Sequence, residues 1–267
     1  MMGAVRPVGN LLRDWRLRRR LSQLDLALEA NISTRHLSFL ETGRARPSRE
    51  MVLRLADQLA IPLRERNVLL NAAGFAPVFA ERPLDDPALA RARQAVELVL
   101  AAHEPFPALA VDRHWTLVAA NAAIPPLLAG AAAALLAPPV NVLRLSLHPD
   151  GLAPRIANLA EWRGHLLERL RRQIELTGDP VLAALLGELA AYPAPPAGPR
   201  AARDHGGVIV PLELLTPGGR LAFFGTTTIF GTPLDVTLAE LALECFFPAD
   251  AATAAALRGK PKVRDAP

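Results

Sequence analysis

The chain of 267 residues contains one cysteine, Cys245, so no disulfide can form within it. Unpaired thiols are typical of reducing compartments, and we therefore expect a cytoplasmic protein. The opening residues, MMGAVRPVGN, lack the apolar core of a signal peptide, which agrees with that expectation.

Residues 115–143 include no charged side chain, yet this stretch does not predict a membrane-spanning helix. A spanning helix needs about 20 continuous, predominantly apolar residues. Pro125–Pro126 and Pro138–Pro139 interrupt the stretch, and six of the eleven residues between these two pairs are alanine. We predict packed helix and loop here, and no membrane partner.

Motifs for nucleophilic, metal or nucleotide chemistry are also missing. Ser146 is the only serine after residue 48, and no G-x-S-x-G sequence is present. The histidines show no H-x-x-x-H spacing and there is no C-x-x-C, so a zinc site is not expected. No glycine-rich nucleotide loop occurs either. We predict no catalytic residues, no metal and no enzymatic activity.

Positive charge is concentrated in the first part of the chain. Residues 1–80 contain thirteen arginines and seven acidic residues, a net charge of +6. The remaining residues contain seventeen lysines and arginines and nineteen acidic residues, a net charge of −2. A basic excess confined to one module points to a polyanionic partner of that module.

The N-terminal module has the signals of five helices. Ser22, Ser33 and Ser48 each precede a helical pattern, as N-cap residues do. Gly43 and Gly74 stand where helices should end. The predicted helices cover residues 8–20, 23–30, 34–41, 49–59 and 63–73.

The second and third helices must cross closely. Ala27 is small enough to allow the approach, and Asn31 in the turn tolerates a positive φ. The shared core is predicted to contain Leu26, Ala30, Leu37 and Leu40. The exposed face of the third helix then presents Thr34, Arg35, His36, Ser38 and Phe39. This is the geometry of a recognition helix that enters the major groove of DNA.

The run LSQLDLALEANISTRHLSFLETGRARPSREMVLRLA resembles the helix-turn-helix of XRE-type, lambda-repressor-like regulators. It departs from the family at Asn31, where glycine is usual. The resemblance also implies a structural salt bridge between Arg16 and Glu41. A five-helix bundle that binds protein is the alternative.

The resemblance assigns DNA contacts residue by residue. The base-reading positions are Thr34, Arg35 and His36, with Phe39 one turn further along. Arginine can bind guanine O6 and N7, and Phe39 can touch a thymine methyl group. The expected backbone contacts are Gln23, Ser38, Arg44, Arg46, Ser48 and Arg49. Solvated surface side chains are the alternative for each of them, above all for Arg46 and Arg49.

The rest of the chain alternates between helical and strand patterns. Helices are predicted over 87–103, 157–177 and 180–192, with two short strands around the turn Asp112–Arg113. Residues 193–207 are predicted as a loop, and 208–215 with 221–229 as a hairpin. A last helix is predicted from Thr237 to Phe246. This order indicates an α+β domain with an antiparallel sheet.

Two segments, PALAVDRHWTLVAAN and FFGTTTIFGTPLDVTLAELALECFFPAD, resemble the PAS-like ligand-binding domain of MmyB-like regulators. We therefore expect an all-α helix-turn-helix bundle followed by an α+β PAS-like domain. The predicted domains are 8–75 for DNA binding, 76–86 as a linker, 87–257 for ligand binding, and 258–267 as a disordered tail.

The ligand-binding domain is expected to hold a small apolar effector, and the resemblance implies a fatty-acyl one. A pocket of this kind needs an apolar lining and a few orienting polar groups. The predicted lining consists of Trp115, Leu117, Trp162, Leu166, Phe223 and Ile229. The predicted polar groups are Asn121, His165, Arg169 and Thr227. The alternative is a filled core in which these side chains only pack. No other cofactor is expected.

Together these features predict a sequence-specific transcriptional regulator that binds double-stranded DNA as a homodimer and responds to a small-molecule effector. One alternative is an adaptor whose C-terminal domain serves only dimerisation or protein contacts. An enzyme with an N-terminal DNA module is another, but the missing catalytic motifs count against it.

Overall fold

The computed structural model describes residues 6–193 and 209–259. Two compact units make up this part of the chain. Unit 1 contains the residues up to 83 together with 175–178 and 232–239, and unit 2 contains the others. No helix in the described ranges is long and apolar enough to cross a membrane.

Unit 1 contains the five predicted helices, and their positions are confirmed. The helices are α1 (Val8–Arg18), α2 (Gln23–Glu29), α3 (Thr34–Glu41), α4 (Arg49–Gln58) and α5 (Leu63–Ala72). The hydroxyls of Ser22, Ser33 and Ser48 accept hydrogen bonds from the backbone N–H groups of α2, α3 and α4. These three helices therefore begin where a serine satisfies one of their unpaired N–H groups.

Left-handed backbone occurs at the predicted turn positions. Asn31 has a φ of 52° in the turn between α2 and α3. Gly43 and Gly74 follow α3 and α5 with φ values of 74° and 86°. Asparagine and glycine tolerate this region better than other residues, so the turn chemistry agrees with the sequence.

The core of unit 1 is formed by one apolar face from each helix. Its fully buried side chains include Leu12, Leu26, Leu37, Leu40, Val52, Leu55, Leu59, Ile61, Leu69 and Leu70. Ala27 and Ala30 are also buried, which confirms the close crossing predicted for α2 and α3. In α3, the buried leucines recur at helical spacing, so they lie on one side of the helix and leave its other side exposed.

Gly9 on α1 lies against the C-terminal end of α3. A Cβ atom at this position would come within 2.4 Å of the carbonyl oxygen of Leu40 and 2.7 Å of that of Glu41. Because both obstacles are backbone atoms, no side-chain rotation could relieve the clash. A glycine is therefore required for α1 to approach α3 this closely.

Arg16 and Glu41 form a buried salt bridge between α1 and α3, as the family resemblance implies. Nε of Arg16 donates to Oε1 of Glu41 over 2.7 Å, and Nη2 donates to Oε2 over 2.8 Å. Only 7% of Arg16 and 4% of Glu41 is exposed. The hydrogen bond to Glu41 raises the pKa of Arg16, against the opposing effect of burial. The pair is bidentate, which fixes the angle between the two helices as well as their distance.

The segment after α5 is held by side-chain hydrogen bonds within unit 1. Asn67 donates to the carbonyl of Phe79 and accepts from the backbone N–H groups of Val78 and Phe79. Buried Asp235 pairs with Arg82 over 3.0 Å, and the backbone N–H of Val236 donates to the carbonyl of Ala80. Polar anchors thus order residues 78–82.

Unit 2 contains a five-stranded antiparallel sheet, so the predicted α+β class is confirmed. The strands are β1 (Ala108–Val111), β2 (Leu117–Ala120), β3 (Leu212–Thr216), β4 (Gly219–Ile229) and β5 (Ala242–Pro248). Their order in the sheet is β2-β1-β5-β4-β3, and all neighbouring pairs are antiparallel. The long β4 pairs with β5 from Phe223 opposite Pro248 to Ile229 opposite Ala242.

Helices cover both faces of this sheet. They are α6 (Ala90–Ala102), α8 (Val142–Leu147), α9 (Leu159–Thr177), α10 (Pro180–Ala191) and α12 (Ala251–Arg258). The short helix α7 (Ala133–Leu136) contacts α8. Leu109, Val111 and Leu214 pack with residues of α8, α9 and α10, whereas Ala108 and Ala110 pack with α6. The alternation follows from the two-residue period of a strand.

The prediction of a helix from Thr237 to Phe246 is wrong. A short helix, α11 (Val236–Ala239), is followed by β5. Because β5 is a central strand, Leu243 and Cys245 face one apolar layer while Ala242 and Phe246 face the other. A run that is buried on both faces has no two-residue alternation of polarity, and its pattern can be mistaken for a helix.

The remaining predicted elements are confirmed with shifted ends. The helices predicted over 87–103, 157–177 and 180–192 correspond to α6 with a preceding 3₁₀ turn, α9 and α10. The hairpin consists of β3 and β4. Most of the predicted loop 193–207 and of the predicted tail 258–267 lies outside the described residues.

Removing one partner of the Arg16–Glu41 pair should destabilise unit 1. We expect Arg16→Met to lower the free energy of unfolding by about 3–5 kcal/mol, because Glu41 then remains buried without its cation. The double variant Arg16→Met/Glu41→Leu should lose less than the sum of the single variants. Urea denaturation followed by circular dichroism measures both losses.

Arg13→Met is the matched control, since Arg13 is exposed on the same helix. An equal loss for Arg13→Met and Arg16→Met would show that the buried pair does not stabilise the unit.

Candidate nucleic-acid interface and effector site

Helix α3 is oriented by its buried side, and its opposite side forms the candidate DNA-binding face. Leu37 and Leu40 are buried in the core of unit 1. Ser33 caps the helix by accepting a hydrogen bond from the backbone N–H of His36 over 3.1 Å. Arg35 is exposed, and the other predicted base-reading residues are partly exposed: Thr34, His36 and Phe39.

The turn after α3 brings a second arginine next to this face. The backbone N–H groups of Arg44 and Ala45 both donate to the carbonyl of Phe39, over 2.9 and 3.1 Å. Gly43 permits this reversal with its positive φ. The guanidinium carbons of Arg35 and Arg44 lie 5.3 and 6.0 Å from the ring centroid of Phe39. Helix α3 and the following loop therefore present one cationic surface around an aromatic ring.

The residues after α3 that are predicted to contact the DNA backbone are solvent-exposed. They are Arg44, Arg46, Ser48 and Arg49. The hydroxyl of Ser48 accepts a hydrogen bond from the backbone N–H of Met51. The pKa of the Glu50 carboxyl is lowered by a hydrogen bond with its own backbone and by one with the side chain of Ser48. Ser38 on α3 is partly buried.

Gln23 has a structural contact in addition to its predicted phosphate contact. Its side-chain amide donates to Oε2 of Glu41 over 2.8 Å. Glu41 thus binds Arg16 and Gln23 at once, which joins α1, α2 and α3. Sequence reasoning did not connect Gln23 with this buried pair.

In unit 2, a turn built by an aspartate positions Trp115. The carboxylate of Asp112 accepts hydrogen bonds from the backbone N–H groups of His114 and Thr116, each over 2.8 Å. Trp115 between them has a φ of 66° and is 7% exposed. Its indole N–H donates to Gln173 on α9 over 2.9 Å. The turn and α9 together hold the ring in one orientation.

Arg169 on α9 joins three other side chains into one cluster. Its Nη1 and Nη2 atoms donate to the two carboxylate oxygens of Glu244 over 2.9 and 2.6 Å. Nη2 also donates to the hydroxyl of Thr227 over 2.7 Å, and the guanidinium carbon lies 4.5 Å from the ring centroid of Trp115. These bonds use three of the five guanidinium N–H groups. Three predicted pocket residues, Trp115, Arg169 and Thr227, therefore meet at one place.

Glu244 is the member of this cluster that sequence reasoning missed. It is 6% exposed and lies opposite Thr227 in the pairing of β4 with β5. The available signal was a single acidic residue within the apolar run LALECFF. That signal was concealed because the run was assigned to a helix.

Trp162 and His165 lie on α9 before Arg169. The indole of Trp162 donates to the hydroxyl of Ser146 over 3.0 Å, and the ring stacks on His165 with centroids 5.6 Å apart. Burial and the nearby guanidinium groups of Arg169 and Arg172 lower the pKa of His165 below its usual 6.5, although Glu244 opposes them. His165 is therefore mainly neutral at pH 7.

The other predicted pocket residues occupy different surroundings. Asn121 is buried, and its amide bonds with the backbone of Leu100, Phe106, Ala108 and Ala123. Leu166 is buried and Leu117 partly buried in the same apolar cluster as Trp115 and Trp162. Phe223 is buried in a neighbouring cluster with Leu221 and Leu257, and Ile229 is 66% exposed at the end of β4.

Metal-binding and thiol chemistry have little basis in the described part of the chain. No group of three histidine, cysteine or acidic side chains there could hold a metal ion. Burial raises the pKa of the Cys245 thiol, and adjacent Glu244 raises it further. The thiol is therefore protonated at neutral pH and unreactive.

Comparison with known proteins gives a match for each unit. Residues 12–66 match the family described as helix-turn-helix, and residues 92–259 match the MmyB-like transcription regulator ligand binding domain. No curated protein matches the chain.

A solved structure titled "Structure of an RNA-binding Light-Oxygen-Voltage Receptor" is 15% identical, with a TM-score of 0.25. That match covers 94% of this chain and 60% of the other, so this chain spans about three fifths of its length. A likeness with so low a TM-score carries no argument about this protein.

An XRE-type helix-turn-helix joined to an α+β ligand-binding domain defines a DNA-binding transcription regulator. Because the second match covers more than half of the chain, the protein belongs to the MmyB-like transcription regulators.

Proposed function

We propose that the protein recognises a specific DNA sequence by inserting α3 into the major groove. Thr34, Arg35, His36 and Phe39 read base edges in this proposal. The exposed, cationic face of α3 is the observation that carries it, because the buried leucines of the same helix leave only this side for a partner. The regulator acts by binding and not by catalysis, in agreement with the two families that it matches.

Contacts with the phosphate backbone of the DNA would set the position of α3 on the duplex. We assign them to exposed Arg44, Arg46, Ser48 and Arg49, with Ser38 and Gln23 at the edges of the helix pair. The net charge of +6 over residues 1–80 supports this assignment, since cationic side chains attract phosphates regardless of sequence.

Unit 2 would bind a small, largely apolar effector with a carboxylate, such as a fatty acid. The apolar side chains around Trp115, Trp162 and Leu166 support an acyl chain, and the match to a ligand-binding domain supports an effector. Two N–H groups of Arg169 already donate to the carboxylate of Glu244. The two remaining guanidinium N–H groups are the groups that would receive a ligand carboxylate, because the Thr227 hydroxyl already donates to Oε1 of Glu244 over 3.1 Å.

DNA recognition predicts different effects for two kinds of arginine. Arg35→Ala should weaken operator binding by about 1–3 kcal/mol and relax the preference at one base position. Arg44→Ala or Arg46→Ala should weaken binding to every sequence alike and make its salt dependence shallower by about one ion per arginine. Fluorescence anisotropy with selected and scrambled duplexes at several salt concentrations measures both effects.

Arg171→Ala in unit 2 makes the same charge change at an exposed position and serves as the control. Equal losses for the Arg35 and Arg44 variants, without any change in sequence preference, would contradict the assignment of base-reading and backbone positions.

Dimerisation is expected because one recognition helix reads too few bases for high specificity. A two-fold dimer would place its recognition helices about 34 Å apart, on half-sites one helical turn apart. We propose unit 2 as the dimer contact. Analytical ultracentrifugation should give two chains per operator duplex. A single chain, both free and on a saturated operator, would refute the dimer.

The effector is expected to stabilise the protein and to change its affinity for the operator. Native mass spectrometry should detect a bound acyl compound, and added medium- or long-chain fatty acid should raise the melting temperature. A ligand at 100 times its Kd contributes about 2.7 kcal/mol. Arg169→Lys should weaken this effect more than Arg171→Lys does.

Regulation also requires that the ligand bind one of two states more tightly, because equal binding shifts no equilibrium. If no compound co-purifies, and fatty acids change neither melting temperature nor operator affinity, unit 2 is a dimerisation domain and the effector proposal is wrong.

A further inference from the structure

Two arginines and one aromatic ring form a cluster on the exposed side of α3. The guanidinium carbons of Arg35 and Arg44 lie 5.3 and 6.0 Å from the ring centroid of Phe39. Arg35 and Phe39 are four residues apart, so they lie on the same side of the helix. A cation within about 6 Å of an aromatic centroid is attracted to the ring. Phe39 therefore restrains the arginine of the helix and the arginine of the following loop.

The side chains of Arg35 and Phe39 offer different surfaces to a partner. Arg35 is exposed, and no carboxylate among residues 6–193 and 209–259 forms a salt bridge with it. Its planar guanidinium can donate two hydrogen bonds to O6 and N7 of a guanine. Phe39 is partly exposed and has only apolar C–H groups, which suit the methyl group of a thymine.

The distance between the two groups restricts which bases they can contact together. Successive base pairs are about 3.4 Å apart along the duplex, so bases two steps apart are separated by about 6.8 Å. The separation of 5.3 Å between guanidinium and ring is shorter than two steps. Since this distance lies between one and two base steps, and thymine cannot pair with guanine in a regular duplex, the thymine belongs to a base pair one or two steps from that of the guanine.

We propose that Arg35 and Phe39 act as one specificity element that recognises a guanine and a thymine one or two base pairs apart. Phe39 contributes twice, because its ring contacts the thymine methyl group and also orients Arg35 toward the guanine. Arg44, restrained by the same ring, contacts the neighbouring phosphate. This inference rests on the proposed function, since it names the bases that α3 distinguishes.

The test uses an operator selected from random duplexes with the full-length protein. Each thymine is replaced by deoxyuridine, which lacks the methyl group, and each guanine by 7-deazaguanine, which lacks the N7 acceptor. We expect one guanine whose replacement weakens binding markedly, with full loss of the bidentate contact corresponding to about 5- to 150-fold. At a thymine one or two base pairs from this guanine, removal of the methyl group should weaken binding about fourfold. Thymines elsewhere in the duplex are the control.

Variants then connect each sensitive base with its side chain. Phe39→Ala should abolish the effect of deoxyuridine and should also reduce the effect of 7-deazaguanine, because Arg35 loses the ring that orients it. Phe39→Tyr keeps the ring and should retain both effects. Arg35→Ala should abolish only the effect of 7-deazaguanine. Melting temperatures establish that each variant is folded.

Three results would overturn the inference while sequence-specific binding remained. A duplex with deoxyuridine within two base pairs of the sensitive guanine could bind as tightly as one with thymine. The sensitive thymine and guanine could lie three or more base pairs apart. Phe39→Ala could leave the effect of 7-deazaguanine unchanged, which would mean that the two side chains act independently. Wild-type protein without any sequence preference would overturn both this inference and the proposed DNA recognition.

Discussion

The buried ion pair between Arg16 and Glu41 is the constraint on which the geometry of unit 1 depends. Both charges are almost completely removed from water, and two parallel hydrogen bonds join them. Such a pair contributes little net stability compared with apolar side chains, but either partner alone would be a costly buried charge. The pair therefore acts mainly on geometry, since it holds the last residue of α3 against α1. Gly9 allows the backbones to approach, and Gln23 brings α2 into the same network.

A second arginine–carboxylate pair organises the ligand-binding unit in a different way. Arg169 is partly exposed, whereas Glu244 is buried in the central strand of the sheet. Trp115 and Thr227 contact the guanidinium from the turn after β1 and from β4. The pair thus connects α9 with three parts of the sheet, at the point where we propose that a polar ligand group binds. The difference from Arg16 is exposure, because the Arg16 side chain is almost completely buried whereas that of Arg169 is partly exposed and accessible to a further partner.

Local chemistry accounts for the elements that could be predicted from sequence. Serine caps, an asparagine with positive φ and glycines at helix ends each act within a few residues, and together with helical patterns of apolar residues they predicted the helices of unit 1. The failure at β5 has the opposite cause, because its run of apolar residues is buried on both faces by helices distant in sequence. Once that strand had been assigned to a helix, Glu244 could not be placed opposite Thr227 or beside Arg169.

The sequence by itself determined the classes of domain, the exposed side of α3 and the confinement of positive charge to the N-terminal module, because these depend on composition and short-range periodicity. Only the tertiary structure decided the partners of individual side chains. It placed Gln23 on Glu41, engaged Asn121 with four backbone groups, and brought both Arg35 and Arg44 to the ring of Phe39. Such contacts depend on directions and distances between elements, which hydrophobic patterns and capping residues do not encode.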